Sequence, residues 1–304
     1  MNVVLEEATW RDRQAAHHER VDAWVTPHLD RARRGEQHPV HDFLFTYYSH
    51  RPAQLRRWHP GVGVALAGDA PQRDWADYRV GDAGVEVDLA RVLARRAESI
   101  KYLSDLLRVT AARRPLFGCF GLHEWAMVYR TAHIRHESWP LRLSPDELAD
   151  VVETAPLRCT HYDAFRFFTP AAAPRNMLQL TRAAMPEHEQ GGCLHTNMDL
   201  YKVAYKLTPL IPSELVGHCF ELARDIRELD MRASPYDLRD LGVSPVRIET
   251  EDGRASYVAT QREFAERAAA LRARLLDICN HLPLDRLSDD RSPVPGVAPW
   301  NSRI

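Results

Sequence analysis

The 304-residue chain carries 40 Lys and Arg against 42 Asp and Glu, a formal charge of −2, and is 45% hydrophobic and 27% charged. Such a length buries a substantial core without staples. Neither an apolar run long enough for a bilayer span nor a signal-peptide start is present, so no membrane partner is expected and the expected compartment is cytoplasmic. The near balance of charge supplies no global field toward nucleic acid, and contact with DNA would need a local basic face.

The predicted elements begin with an amphipathic N-terminal helix carrying Val21, Trp24, Val25 and Leu29. An aromatic segment at 39–51, between Pro39 and Pro52, has room for about three helical turns. A short helix, a Pro60-Gly61 turn and a resumed apolar stretch follow, then a loop-like 67–83. Leu89, Val92, Leu93, Ile100, Leu103 and Leu107 recur at helical spacing and predict a long helix over 85–113, closed by Pro115. Residues 123–139 read as another helix ending before Pro140, and Ser144-Pro145-Asp146-Glu147 offers a capping box for a helix to about 153.

The stretch 157–193 is mixed, with a loop at 170–174. Helices are expected over 194–208 and 213–232, a short strand over 243–250 before an Asp252-Gly253 turn, and a final helix over 254–282. The sum is a mainly α, multi-helix globular domain with a few short strands. It forms one domain over 1–283, with a point of subdivision near 115–145, and a Pro-rich C-terminal tail follows at 284–304.

Two oddities of usage bear on chemistry. The five cysteines, Cys119, Cys159, Cys193, Cys219 and Cys279, are odd in number and form no C-x-x-C pair, so reduced thiols are expected rather than a disulfide framework or a zinc ribbon. Lysine occurs only at 101, 202 and 206 while arginine supplies the other cations, which singles out Lys202 and Lys206.

Two segments carry a resemblance. Trp58-His59-Pro60-Gly61-Val62-Gly63 follows Leu55 and precedes the apolar Val64 and Leu66, and Val87-Asp88-Leu89-Ala90-Arg91-Val92 opens the long helix on an acid. Together they resemble the helix-hairpin-helix DNA glycosylases, whose hairpin glycines admit backbone amides to a DNA phosphate and whose catalytic aspartate opens a following helix. The chain as a whole also resembles actinobacterial proteins labelled 3-methyladenine DNA glycosylase.

The resemblance implies DNA as partner and hydrolysis of the glycosidic bond of alkylated purines without a cofactor. Asp88 would stabilise the oxocarbenium-like sugar, Gly61 and Gly63 would meet the phosphate, and Arg56 and Arg57 would position the strand. Phe43, Phe45, Tyr47, Tyr48, Trp58 and Trp125 would wall the extruded base. The lysine of bifunctional members has no counterpart, so lyase activity is not implied. On the residues alone, an acid at that position also serves as a helix cap.

A second constellation is built from histidine and carboxylate. His123, Arg130, His133 and Glu137 share one face of the 123–139 helix, with Glu124 adjacent, and His195, Asp199, Lys202 and Lys206 share one face of 194–208. Glu214, His218, Glu221 and Asp225 form a third stripe. Such stripes build an acid/base pocket or a metal site, and they point to a small-molecule enzyme on His123, Glu124, His133, His195 and Asp199. That enzyme would hold an unassigned divalent metal, non-haem iron or zinc, although no H-E-x-x-H motif is present.

His41-Asp42 and His161-Tyr162-Asp163 are further acid/base pairs, and the alternating charges from Arg227 to Asp237 read as an ion-pair network or as an anion clamp through Arg232. A non-enzymatic binding module stays open as a third reading. Oligomeric state is left open as well.

Overall fold

The computed structural model describes residues 2–132, 134 and 138–284. The described chain is mainly helical, with one small four-stranded sheet. It divides into two compact units, one comprising the residues up to Asp105, Tyr201–Phe220 and those from Ala273, the other Leu106–Leu200 and Glu221–Arg272.

The first unit holds the sheet. β1 (Val3–Leu5), β2 (Val64–Leu66), β3 (Tyr78–Gly81) and β4 (Gly84–Val87) lie in the order β1-β2-β4-β3. β1 runs parallel to β2 with Val3 opposite Val64, while β4 is antiparallel to both β2 and β3. Val85 and Val87 point inward and Glu86 does not, the period-two pattern of a half-buried strand. This is why the long helix starts at Leu89 instead of 85 and spans Leu89–Ala112. The expected loop at 67–83 likewise contains β3 and a 3₁₀ turn at Pro71–Asp74.

The N-terminal helix, Glu7–Arg33, buries Trp10, His17, Val21 and Val25. Trp10 Nε1 donates to the Ala67 carbonyl (3.0 Å), and His17 Nε2 bonds the Leu55 carbonyl (3.0 Å). Only Phe43–Tyr47 of the aromatic segment is helical, since Tyr48 and then Arg51, which precedes Pro52, take extended conformations.

The second unit is built from short helices and turns. The capping box forms as expected at Pro145–Thr154, where Ser144 Oγ accepts from the Glu147 amide (3.3 Å) and the Glu147 carboxylate accepts from the Ser144 amide (2.9 Å). The helix expected over 123–139 is only Leu122–Ala126. Its carbonyls are diverted, for the Thr169 amide donates to the Ala126 carbonyl (3.2 Å) and the Thr169 hydroxyl to that of Tyr129 (2.9 Å). Arg130 then takes φ +47.

The expected 194–208 helix breaks at Asp199 into Leu194–Met198 and Leu200–Leu207. No strand forms over 243–250, because Pro245 has no amide to donate and the Val246 amide bonds the Arg232 carbonyl (2.7 Å). The alternation of Val246 and Ile248 records burial without pairing. Asp252 and Gly253, expected as a turn, open the last helix, Glu251–Asn280.

Candidate metal centre

Gly121 adopts φ +70 immediately before the helix Leu122–Ala126, and a Cβ there would meet Tyr257 at 3.3 Å. This turn sets His123 and Glu124 in the first helical turn, while Leu194–Met198 supplies His195 and the last turn of Ser213–Arg232 supplies Asp230. His123, His195 and Asp230 each offer a donor atom, and these atoms lie within 4.8 Å of one another. His123 Nδ1 is 3.7 Å from Asp230 Oδ1 and His195 Nε2 is 3.8 Å from Asp230 Oδ2, with the two imidazole centroids 4.1 Å apart.

Asp230 is fully buried. Arg227, itself buried, donates to Asp230 Oδ2 (3.0 Å) and Glu124 Oε1 (2.9 Å), fixing both carboxylates. Asp230 Oδ1 has no hydrogen-bond partner among the described residues. An orphaned carboxylate oxygen is costly to bury, and a carboxylate set between two imidazoles, Oδ1 toward His123 and Oδ2 toward His195, is the donor set of a borderline divalent metal.

Burial and mutual charge shift the titration of all three groups. Burial pushes the Asp230 carboxyl up. Burial opposes a charge on His123, yet the Asp230 and Glu124 carboxylates outweigh it and hold this imidazole above its ordinary value. For His195, burial and then the neighbouring His123 and His161 drive the pKa well down, leaving the neutral ring that ligates metals.

A second group, His161, Asp163 and Asp199, also places its donor atoms within 4.8 Å of one another. The His161 ring lies 5.7 Å from that of His195. Its Nδ1 bonds Glu189 Oε1 (2.9 Å), Glu189 accepts in turn from the Thr196 hydroxyl, and Nε2 faces Asp199 Oδ2 at 3.8 Å. A carboxylate on one imidazole nitrogen orients the other, as in many metal sites. Asp163 here faces Arg166 Nε at 3.4 Å, a competing cation.

His123 and His195 line a cavity of about 310 Å³ with largely apolar walls that include Leu157, Phe168 and Met177. Its three cysteines remain thiols, for burial raises Cys119, raises Cys159 strongly and lifts Cys193 to about 12. Among the described residues, the groups whose donor atoms converge are made of histidine and carboxylate. The exposed Arg158 lines the same cavity and has no ion-pair partner among the described residues.

The other sequence candidates separate clearly. Glu124 joins the His123 network (3.4 Å to Nε2) and Asp199 the His161 group. The break at Asp199 puts His195 on one short helix and Lys202 and Lys206 on the next, so the four do not share one continuous helix. The 214–225 stripe is spent on structure, with Glu214 accepting from Arg13 (2.8 Å) and Trp58 (3.1 Å) and Asp225 from Arg267 (2.8 Å). His133 and Glu137 lie outside the described residues.

Asp88 Oδ1 accepts from the Arg91 amide (3.0 Å) and caps the helix Leu89–Ala112, and Asp88 lines neither this cavity nor the one at Arg57. Gly61 and Gly63 take φ +93 and +79, but β2 follows, so the turn is not succeeded by a second helix. The Val62 amide between them is spent on the Leu210 carbonyl (2.9 Å). Arg56 pairs with Asp22 (2.7 Å). Trp58 and Trp125 are core residues, the latter donating to the Ala233 carbonyl (2.9 Å), and Tyr48 is buried edge-on to Tyr201. Tyr47 stacks on Phe43 at 4.9 Å, and His41 is exposed beside His38.

Arg57, by contrast, lines a second cavity of about 440 Å³ in the first unit together with His50, His59, Arg96 and Lys206. Asp230, Arg227 and Glu189 were not among the sequence-derived site residues. Asp230 was legible, since it falls one turn after Ile226 and two after Leu222, on an apolar helical stripe where a carboxylate is buried. Glu189, in an irregular segment, has no such signal. No protein-family model matches this chain, and comparison with curated proteins and with solved structures likewise finds no match.

Proposed function

We propose that this protein is a metal-dependent enzyme with His123, His195 and Asp230 as ligands, acting on a small, largely apolar molecule. The observation that carries the reading is the buried Asp230 carboxylate between two imidazoles, its Oδ1 toward His123 and without a hydrogen bond among the described residues, its Oδ2 toward His195. Two histidines and one carboxylate leave coordination positions open, the pattern of non-haem iron centres and of catalytic zinc. When bound, such a metal supplies Lewis acidity or, as iron, redox chemistry.

The chain's own groups divide the remaining work. Arg227 holds Glu124 and Asp230 in register from behind, the apolar walls exclude water from the cavity, and Arg158 offers a cation to an acidic group on the substrate. The N-glycosylase alternative depends on Asp88 and the Gly61 turn. The helix-capping role of Asp88 and the spent Val62 amide favour the metal reading over it.

The test is elemental analysis of protein purified without a tag. We expect about one equivalent of iron or zinc per chain, lost in His195→Gln and in Asp230→Asn while the helical circular dichroism is retained, and restored in chelated wild type by added metal. Wild type that holds no transition metal and is not stabilised by adding one overturns the reading.

A further inference from the structure

The cavity at His123 has a rim of irregular backbone that two buried side-chain amides tie down. Asn176 is spent entirely on its neighbours: Oδ1 accepts from the Cys159 amide (2.8 Å), and Nδ2 donates to the carbonyls of Cys159 (3.0 Å) and Leu178 (2.6 Å). The Met177 amide donates to the Leu157 carbonyl (3.0 Å), so Arg158 is carried on backbone held on both sides. Gln190 does the same for Leu116, whose amide donates to Gln190 Oε1 (2.8 Å). A rim fixed in this way costs a ligand little further ordering of the chain.

The charge on that rim is simple. The described residues that line the cavity include no carboxylate, and Arg158 is the single arginine or lysine among them. Its guanidinium has neither an ion pair nor a hydrogen bond among the described residues. It lies beside Gly118, where an added Cβ would stand 3.8 Å from Nη1. Leu116 and Met177 are exposed although both line the cavity, so its apolar surface continues to the mouth. A ligand entering here therefore meets hydrophobic contact along its body and one cation.

We propose that the substrate of this site is a small monocarboxylic acid with an apolar body, its carboxylate paired with Arg158 and its body against Leu157, Phe168 and Met177. One guanidinium supplies a single positive charge and a fork of parallel N–H donors, the match of one carboxylate. A phosphate monoester, at about −1.5 to −2, would leave charge unmet beside apolar walls. The cavity of about 310 Å³ is roughly twice the ~150 Å³ that encloses a benzene, which is room for about ten to twelve non-hydrogen atoms. That the ligand is a substrate rests on the metal reading, whereas its binding at Arg158 is measured independently of metal content.

Isothermal titration with 3-phenylpropionate and with its neutral amide tests the assignment, on wild type as purified and after chelation. The variants are Arg158→Gln, Met177→Glu, which sets a like charge in the lining, and as a control Arg239→Gln, whose side chain is exposed and paired with Asp237. One saturable site per chain is expected for the acid in both preparations, weakened about tenfold by either cavity variant and unchanged by the control. The amide is expected to bind about tenfold more weakly than the acid. Arg158 and Met177 are both exposed, and circular dichroism verifies that each variant is folded. Absence of saturable binding, equal affinity for acid and amide, or undiminished binding in Arg158→Gln overturns the proposal, and the metal content then decides the metal reading separately. Binding that is lost on chelation but unchanged in Arg158→Gln places the carboxylate on the metal and overturns it as well. Arg158-dependent binding in a protein that holds no transition metal keeps the ligand class and overturns the metal reading.

Discussion

The two units place buried histidines in opposite company. In the first, His50 and His59 are bonded to tyrosine hydroxyls, and burial lowers both pKa values with no carboxylate to oppose it. In the second, His123 is equally enclosed but faces Asp230 and Glu124, and its pKa moves the other way. The same imidazole is thus a neutral hydrogen-bonding group in one setting and a centre that attracts positive charge in the other. The partner oxygen, hydroxyl or carboxylate, decides between them.

The largest expected effect comes from breaking the carboxylate side of this contrast. Arg227→Met leaves Glu124 and Asp230 buried without their shared guanidinium. It is expected to cost about 3–5 kcal/mol in urea unfolding. A loss under about 1 kcal/mol would show that the network does not behave as a buried charge pair.

The hydroxyl side is probed by pH. His50 and His59 titrate near 6.5 when unfolded and at about 4 and about 3 when folded, so the folded state disfavours the proton. Their contribution is complete above about 6.5 and is lost as pH falls toward the folded values, at up to about 1.4 kcal/mol per pH unit for each ring. For His59 the flanking Arg57 and His17 act in the same direction as burial. The thermal midpoint is expected to fall between pH 6 and 4.5, and a His50→Gln/His59→Gln double variant to show a shallower fall. Equal slopes in the two proteins would remove these rings as its source.

The smallest effect lies away from both clusters. Ser144→Ala deletes the hydroxyl that caps Pro145–Thr154, and a cost of about 1 kcal/mol is expected from thermal unfolding. Because that helix sits in the unit that carries the candidate metal centre, the variant separates general loosening of the unit from loss of the proposed ligands. Metal content unchanged in Ser144→Ala but lost in Asp230→Asn keeps the two apart.

Helical periodicity was well legible wherever an apolar stripe met a local stop signal. Leu93, Ile100 and Leu107 marked their helix, and Ser144 with Glu147 marked the start of another. Periodicity failed where long-range hydrogen bonds overruled it. Nothing near residue 126 announces that Thr169 takes the carbonyls there, and the stripe through His133 and Glu137 was drawn on a helix that ends at Ala126. At the candidate centre, His123, Glu124, His195 and Asp199 stood out by residue type, but their convergence with Asp230 depends on three separated segments that no local pattern links. Asp88 shows the reverse, a residue that short motifs made prominent and that local capping explains.

Asp230 sits in the last turn of the helix Ser213–Arg232. The aligned peptide dipoles there present about half a negative charge, so a carboxylate at this end is opposed by about 0.3–1 kcal/mol where a cation would be favoured. The helix end therefore adds its own field to that of the carboxylate, and both point toward a positive occupant. A divalent ion entering between His123 and His195 would relieve a repulsion built into the backbone as well as the side chains. On the proposed metal reading, the helix terminus would contribute to the ion's binding energy, although none of its peptide groups would be a ligand.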